Sequence, residues 1–386
     1  MYKLTNFVSF KMQNMRFVLI IVMLAVFVAL IAYVVLRGFQ TFRDIPMARN
    51  IYLITTVSMF VFFIAGMIVG MFSTASIAKI IAFIGQSSLF ILFYLILAFV
   101  LIDIVRTANH FLHFAPEGMI AFRKYALFVS FAVIAVLLVV GNYKFNRIEI
   151  VNLEINVKDK PLKNRELRIV AASDIHLGVS IDKRKLQKYV RLINEQNPDI
   201  VVLVGDIIDN ALAPLVRQNM DEYLRKINAP LGVFLALGNH EYIGGDIYGV
   251  IDFFQSANVQ VLRDEIVLID DSFYLVGRDD LTNRYRKPIS QLIEGIDHSK
   301  PIILLDHQPF NLQEAEKNGI DLQISGHTHA GQFFPINLIV NRMFENPHGH
   351  SMRGNTHFYV SSGLAIWGPQ YRIGTQSELV VITLSF

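Results

Sequence analysis

Cysteine is absent from the 386 residues, which excludes a disulfide framework, a thiolate zinc site and a cysteine nucleophile together. Charge is scarce as well: charged residues make up 17% of the chain and apolar ones 53%, a balance too greasy for a protein that meets only water. The charges nearly cancel, to a formal +3, and no Lys/Arg run of the kind that grips a phosphate backbone occurs, so nucleic acid is not an expected partner. No internal repeat or low-complexity tract interrupts the chain.

The apolar residues are concentrated at the N-terminal end. A bilayer hydrocarbon core is about 30 Å thick and takes roughly 20 apolar helical residues to cross. Phe17 to Leu36, Ile51 to Phe72, Ile80 to Ile102 and Tyr125 to Val140, the last extending through Gly141 to Tyr143, meet that requirement. Gly66 and Gly70 have small-xxx-small spacing, which suits close helix packing. The first run is longer than the apolar core of a secretory signal and lacks a small-residue cleavage site, so it reads as a retained span. The expectation is a multi-pass α-helical membrane domain over residues 1–143, with spans near 17–36, 51–72, 80–102 and 125–143, followed by a second domain over 144–386. Asp103, Arg106, His110 and His113 fall beyond Ile102, at the expected interface, and are assigned no chemistry.

Four spans return the chain to the side where it began. Lys3, Lys11, Arg16, Lys79, Lys144 and Arg147 flank the spans on that side, and Arg37, Arg43, Arg49, Arg106, Arg123 and Lys124 on the other. The totals balance. Arg123 and Lys124 abut the fourth span and three arginines crowd the loop from Arg37 to Arg49, which favours the cytoplasm for that side. Residues 144–386 are therefore expected to face outward from a cell membrane.

From Lys144 short apolar runs alternate with amphipathic stretches, the pattern of an α/β domain. Leu167 to Ala172, Ile200 to Val204, Gly232 to Leu237, Ile302 to Leu305 and Leu322 to Ser325 read as buried strands. Asp182 to Gln196 carries Leu186, Tyr189, Val190 and Ile193 at helical spacing, and a further helix is expected near Met220 to Ile227. A polar cluster follows each strand: Asp174 and His176; Asp206 and Asp209; Asn239, His240 and Glu241; Asp306 and His307; His327 and His329. Ligands bind outside the carboxyl ends of strands in open α/β sheets, so the clusters should converge on one crevice. Carboxylate, imidazole and amide oxygen suit Mn, Fe, Zn or Mg, and a carboxylate can bridge two cations. Each residue alone could be a helix cap, a turn former or a surface histidine. The joint pattern points to metal.

The order DxH, GDxxD, GNHE, an isolated His and GHxH resembles the signature of calcineurin-like metallophosphoesterases, over roughly Glu166 to Gly331. The stretches SDIHLG, VLVGDIID, ALGNHEY and SGHTHAGQ resemble in particular its bacterial branch of membrane-attached and exported phosphodiesterase-like proteins. The resemblance implies a four-layer α/β sandwich with two mixed sheets. It implies one cation on Asp174, His176, Asp206 and His329, and a second on Asp206, Asn239, His307 and His327, with Asp206 bridging. His240 would stabilise the transition state or protonate the leaving oxygen, oriented by Asp209. The implied chemistry is hydrolysis of a phosphate ester by metal-activated hydroxide, with no covalent phosphoenzyme.

The signature says little of the substrate. The membrane anchor and the apolar segment Phe333 to Val340, after the last motif, tilt the expectation toward a lipid-linked phosphodiester or pyrophosphate, with membrane lipid as a partner. That segment reads equally as a further buried strand or helix. The alternatives are a tethered phosphatase for a soluble ester and an inactive membrane sensor. Arg342, Arg353 and Arg372 are candidates to contact a second phosphate, while His298, His348, His350 and His357 match no motif position.

Overall fold

A computed structural model describes residues 21–22, 25–115, 119–157, 160 and 166–385. Four apolar helices come first: α1 (Ala25–Thr41), α2 (Pro46–Phe72), α3 (Ser76–Leu112) and α4 (Met119–Asn146). The last three are each long and apolar enough to cross a membrane; α1 is shorter, and residues 17–20 and 23–24 of the expected first span lie outside the described residues. These helices turn large apolar side chains outward, with Ile54, Met67, Leu101 and Val139 each more than three-fifths exposed. That surface needs hydrocarbon to cover it. At 37 residues α3 runs well past its apolar stretch, so Asp103, Arg106 and His110 are helical.

The chain divides into two compact units, Met1–Ala65 with Ile84–Val136, and Gly66–Phe83 with Leu137–Phe386. In the first, Asp103 accepts from Tyr33 Oη and pairs with Arg37, both at 2.7 Å, and with Arg106 at 2.9 Å. The close helix approach there belongs to Gly85, where a Cβ would collide with the backbone carbonyl of Phe62. Gly66 and Gly70 both belong to the second unit, where a Cβ built on Gly70 would stand in ordinary contact with Val179.

The second unit is built on two six-stranded mixed sheets. In chain order its elements are β1 (Glu149–Asn156), β2 (Glu166–Ala172), α5 (Lys183–Glu195), β3 (Ile200–Val204), α6 (Ala213–Arg217), α7 (Asp221–Leu224), β4 (Val233–Ala236), α8 (Asn239–Ile243), α9 (Ile247–Ser256) and β5 (Gln260–Leu262). There follow β6 (Glu265–Ile269), β7 (Phe273–Gly277), α10 (Ile289–Leu292), β8 (Ile302–Leu305), α11 (Leu312–Lys317), β9 (Leu322–Ser325), α12 (Ile336–Met343), β10 (Gly349–Arg353), β11 (Thr356–Val360) and β12 (Glu378–Ser385). One sheet has the order β1-β12-β2-β3-β4-β5 and the other β10-β11-β9-β8-β7-β6.

Burial follows the pleat. On β2, Ile169 and Ala171 face the second sheet, in a core with Val202, Ile303, Leu305 and Ile324. Val170 and Ala172 face the opposite way, packing with Leu186, Tyr189, Val190 and Ile193 of α5. A third cluster joins Leu304 of β8 to Ile289, Leu292 and Leu312 of α10 and α11. The layers are thus helix, sheet, sheet, helix, and the parallel strands are apolar on both faces because both are covered. Removing one such side chain, as in Ile303→Ala, should cost about 2–5 kcal/mol. The amphipathic stretch expected as a helix is α5, capped by Asp182, whose carboxylate accepts from the backbone N–H of Arg184 (3.0 Å) and Lys185 (3.3 Å).

Candidate metal centre

Strands β2, β3 and β4 run parallel in one sheet and β8 and β9 in the other, so their carboxyl ends deliver all five polar clusters to one edge. Asp174 and His176 follow β2, Asp206 follows β3, Asn239 and His240 open α8 after β4, His307 follows β8, and His327 and His329 follow β9. One ligand atom each of Asp174, His176 and His329 lies within 4.8 Å of the other two. The same holds for Asp206, His307 and His327, and for His176, Asp206 and His240. Asn239 Oδ1 is 2.9 Å from His327 Nδ1, which brings the remaining expected ligand into the second group.

The donors are arranged for cations rather than for one another. The Nε2 atoms of His176 and His329 face each other at 3.3 Å. His176 Nδ1, His307 Nε2 and His329 Nδ1 are buried without a hydrogen-bond partner, although His307 Nε2 lies 3.1 Å from Asp206 Oδ2. His307 Nδ1 donates to the Val204 carbonyl at 2.8 Å, so Nε2 is the nitrogen turned toward Asp206, and against the pull of burial that carboxylate holds the His307 ring well above the usual imidazole value. Burial pushes His176 down to about 3 and His327 down to about 4, and holds His329 well below the usual imidazole range. Neutral imidazole is the form that binds metal. Burial also lifts Asp174 to about 6, whereas the neighbouring imidazoles, His307 foremost, overcome burial at Asp206 and keep it ionised. Orphaned buried nitrogens, neutral rings at His176, His327 and His329, and an ionised central carboxylate whose charge a cation can take over from His307 fit divalent cations.

The backbone is strained to bring these atoms together. Asp174, His176, Asp206, His327 and His329 have φ of 53°, 51°, 54°, 70° and 50°, a region that costs an L-residue about 1–3 kcal/mol. Cross-links hold it: Asp174 N–H donates to the Gly205 carbonyl and His176 N–H to the Asp206 carbonyl, both at 3.0 Å, while His327 N–H donates to the Asp174 carboxylate. Gly205 (φ 71°) and Gly238 leave the room; a Cβ on the first would strike the His307 ring, and on the second Asp206.

His240 donates its backbone N–H to Asp206 Oδ1 at 2.8 Å, and its Nδ1 meets the backbone carbonyl of Asp209. The Asp209 carboxylate points elsewhere, with Oδ1 3.9 Å from His176 Nδ1, and burial raises it to about 6. Glu241 is completely buried and accepts four backbone N–H groups, from Asp206, Ile207, Ile208 and Gly238, at 2.7–3.1 Å. Asp306, beside His307, is gripped by Arg278 at 3.3 Å and Arg286 at 3.1 Å. These supports went unassigned in the sequence. Gly277-Arg278-Asp279-Asp280 does carry the telling signal, a polar cluster straight after an apolar run, Phe273–Gly277, that is as long as Ile200–Val204.

Arg372 is not placed to contact a phosphate. It is fully buried and donates to the carbonyls of His329, Ser362, Gly363 and Ala365 and to Ser377 Oγ, which consumes its guanidinium on the backbone around the site. Arg353 pairs with Glu316 and Glu345, and Arg342 is exposed on α12. His348 pairs with Glu378 and His350 with His357, both at 3.0 Å and outside the centre, and His298 is exposed. The segment Phe333 to Val340 leads into α12, none of whose residues is buried.

The model of the calcineurin-like phosphoesterase family matches residues 167–331. A protein of Danio rerio named transmembrane protein with metallophosphoesterase domain is 35% identical over 253 residues, covering 61% of this chain and 57% of its own length. An uncharacterized metallophosphoesterase of Campylobacter jejuni is 36% identical over 231 residues, covering 58% and 60%. One of Aquifex aeolicus is 34% identical over 247 residues, covering 62% of this chain and 92% of its own. The chain thus spans a little over half the length of the first two relatives.

Proposed function

The chain belongs to the calcineurin-like metallophosphoesterases, and we propose that it hydrolyses a phosphate ester at the strand-end centre, its substrate a lipid-linked phosphodiester or pyrophosphate in the outer leaflet or extracytoplasmic space. The observation that carries this reading is the sharing of ligand atoms: Asp206 belongs to one group with His307 and His327, and to another with His176 and His240. One cation would rest on Asp174, His176, Asp206 and His329, the other on Asp206, Asn239, His307 and His327. When bound, two divalent cations acidify a water and neutralise the phosphoryl oxygens, so the protein needs no nucleophile of its own.

The protein's own residues then orient and move protons. Asp206 serves both sets, one oxygen 3.1 Å from His307 Nε2 and the other held by the His240 N–H. His240 gives its Nδ1–H to the Asp209 carbonyl, leaving Nε2 to carry a proton toward the leaving oxygen. Asp209 thereby orients His240 through its main chain. The anchor and the exposed apolar α12 favour a lipid-linked ester over a soluble one. Metal-dependent turnover of bis(p-nitrophenyl) phosphate against p-nitrophenyl phosphate, followed by lipid phosphodiesters and pyrophosphates in detergent, tests the reading. Absence of metal-dependent turnover on all of them overturns it.

A further inference from the structure

The segment after the last metal ligand has an unusual surface. Phe334, Leu338, Ile339 and Met343 are 51%, 55%, 59% and 65% exposed, and no residue of α12 is buried. At 100° per residue, Leu338, Ile339, Arg342 and Met343 share one face of the helix. A soluble protein does not leave its apolar helical face to water without a partner. Trp367, half exposed, lies next to this segment, since Gln332 Nε2 donates to the carbonyls of Trp367 (3.1 Å) and Pro369 (3.2 Å).

The same stretch of chain is tied to the end of a membrane-crossing helix. Arg372 N–H donates to the Gly141 carbonyl of α4 at 3.0 Å, Asn142 Nδ2 donates to the Gln370 carbonyl at 3.1 Å, and Phe334 N–H donates to the Ile373 carbonyl at 2.9 Å. Gly141 stands where the apolar run of α4 ends. The rim of the metal centre is equally near: the Phe344 ring is 6.2 Å from that of His327, and the Trp367 ring 6.3 Å from that of His240.

We propose that Phe334, α12 and Trp367 form a bilayer-contact edge, with Leu338, Ile339 and Met343 seated among acyl chains just below the headgroups and Arg342 at lipid phosphate. The bilayer is the occupant because this edge continues directly from α4, and a helix with an apolar face and a basic residue among it suits the interfacial plane. The contact stands apart from hydrolysis. Joined to the proposed function, it lets a lipid-linked ester reach the cations without leaving the membrane.

The chain has no cysteine and a single tryptophan, which makes the test clean. Nitroxide labels are attached to Leu338→Cys and Ile339→Cys, and for comparison to His298→Cys beyond the opposite ends of the strands. The full-length protein is reconstituted in phosphatidylcholine–phosphatidylglycerol vesicles. Labels at 338 and 339 should collide with membrane-dissolved oxygen and be shielded from an aqueous nickel chelate roughly tenfold relative to 298. Trp367 emission should fall by about half in vesicles whose acyl chains are brominated near the headgroups. Full nickel access at 338 and 339, with no lipid quenching of Trp367, overturns the proposal, and so does strong coupling between labels of two copies, which would assign the face to self-association. Neither readout uses turnover, so each reading can fail without the other.

Discussion

The carboxylate of Glu241 accepts the backbone N–H of Asp206 at 2.9 Å, so a side chain outside the ligand set holds the loop that carries the shared ligand. It also holds Gly238, just before Asn239, at 2.7 Å. Glu241→Gln keeps the size but presents an amide N–H₂ to N–H donors. Metal affinity, measured by titration calorimetry, should fall roughly 10–100-fold, with turnover following it. Unchanged affinity would show that the two loops keep their shape unaided.

Asp206→Asn should strip both cations, because the carboxylate groups with His307 and His327 on one side and with His176 on the other. Elemental analysis of the purified protein should show loss at both sites, with the helices still inserted in the membrane. Wild-type stoichiometry and rate in this variant would remove the two-cation assignment.

His240→Ala should retain metal and lose about 10²–10⁴ in rate, the range for one acid or electrostatic stabiliser. An activated aryl leaving group should restore most of the loss, since it departs without a proton. Loss of bound metal instead would make His240 a ligand, in keeping with its place beside His176 and Asp206.

Lys185 bears on stability rather than catalysis. Its ammonium lies 4.1 Å from the Phe145 ring centroid and donates to Gln370 at 2.8 Å, and burial pulls it down to about 7. The unfolded value is about 10.4, so between about pH 7 and 10.4 the unfolded chain binds a proton that the folded one does not, and stability rises with pH across that window. Lys185→Met should therefore unfold at a higher temperature than wild type near pH 7, with the gap closing toward pH 10. A gap independent of pH would mean that the ammonium stays charged in the fold.

Orientation is read by a reporter fused after Phe386. Alkaline phosphatase activity without green fluorescence is the outcome expected for an outward catalytic domain, in line with Arg123 and Lys124 in the first turns of α4, just before its apolar run. Bright fluorescence without phosphatase activity reverses the topology.

The apolar helices and the polar residues at the strand ends are legible along the chain because both depend on local order. An apolar run of bilayer length is a helix wherever it sits, and a polar cluster straight after a buried strand lies at a strand end in any α/β sheet. What the chain alone left open was decided by groups distant in sequence. β1 finds its partner β12, pairing Glu149 with Glu378, and no local pattern encodes that register. Arg372 looks like any surface cation until the carbonyls of His329, Ser362, Gly363 and Ala365 close around it. Asp209 could offer His240 either its carboxylate or its backbone, and the packing of the loop selects the backbone. The apolar letters of α12 would read the same in a core or on a surface; only tertiary packing leaves them exposed, because periodicity records which side chains share a face and not what lies against it.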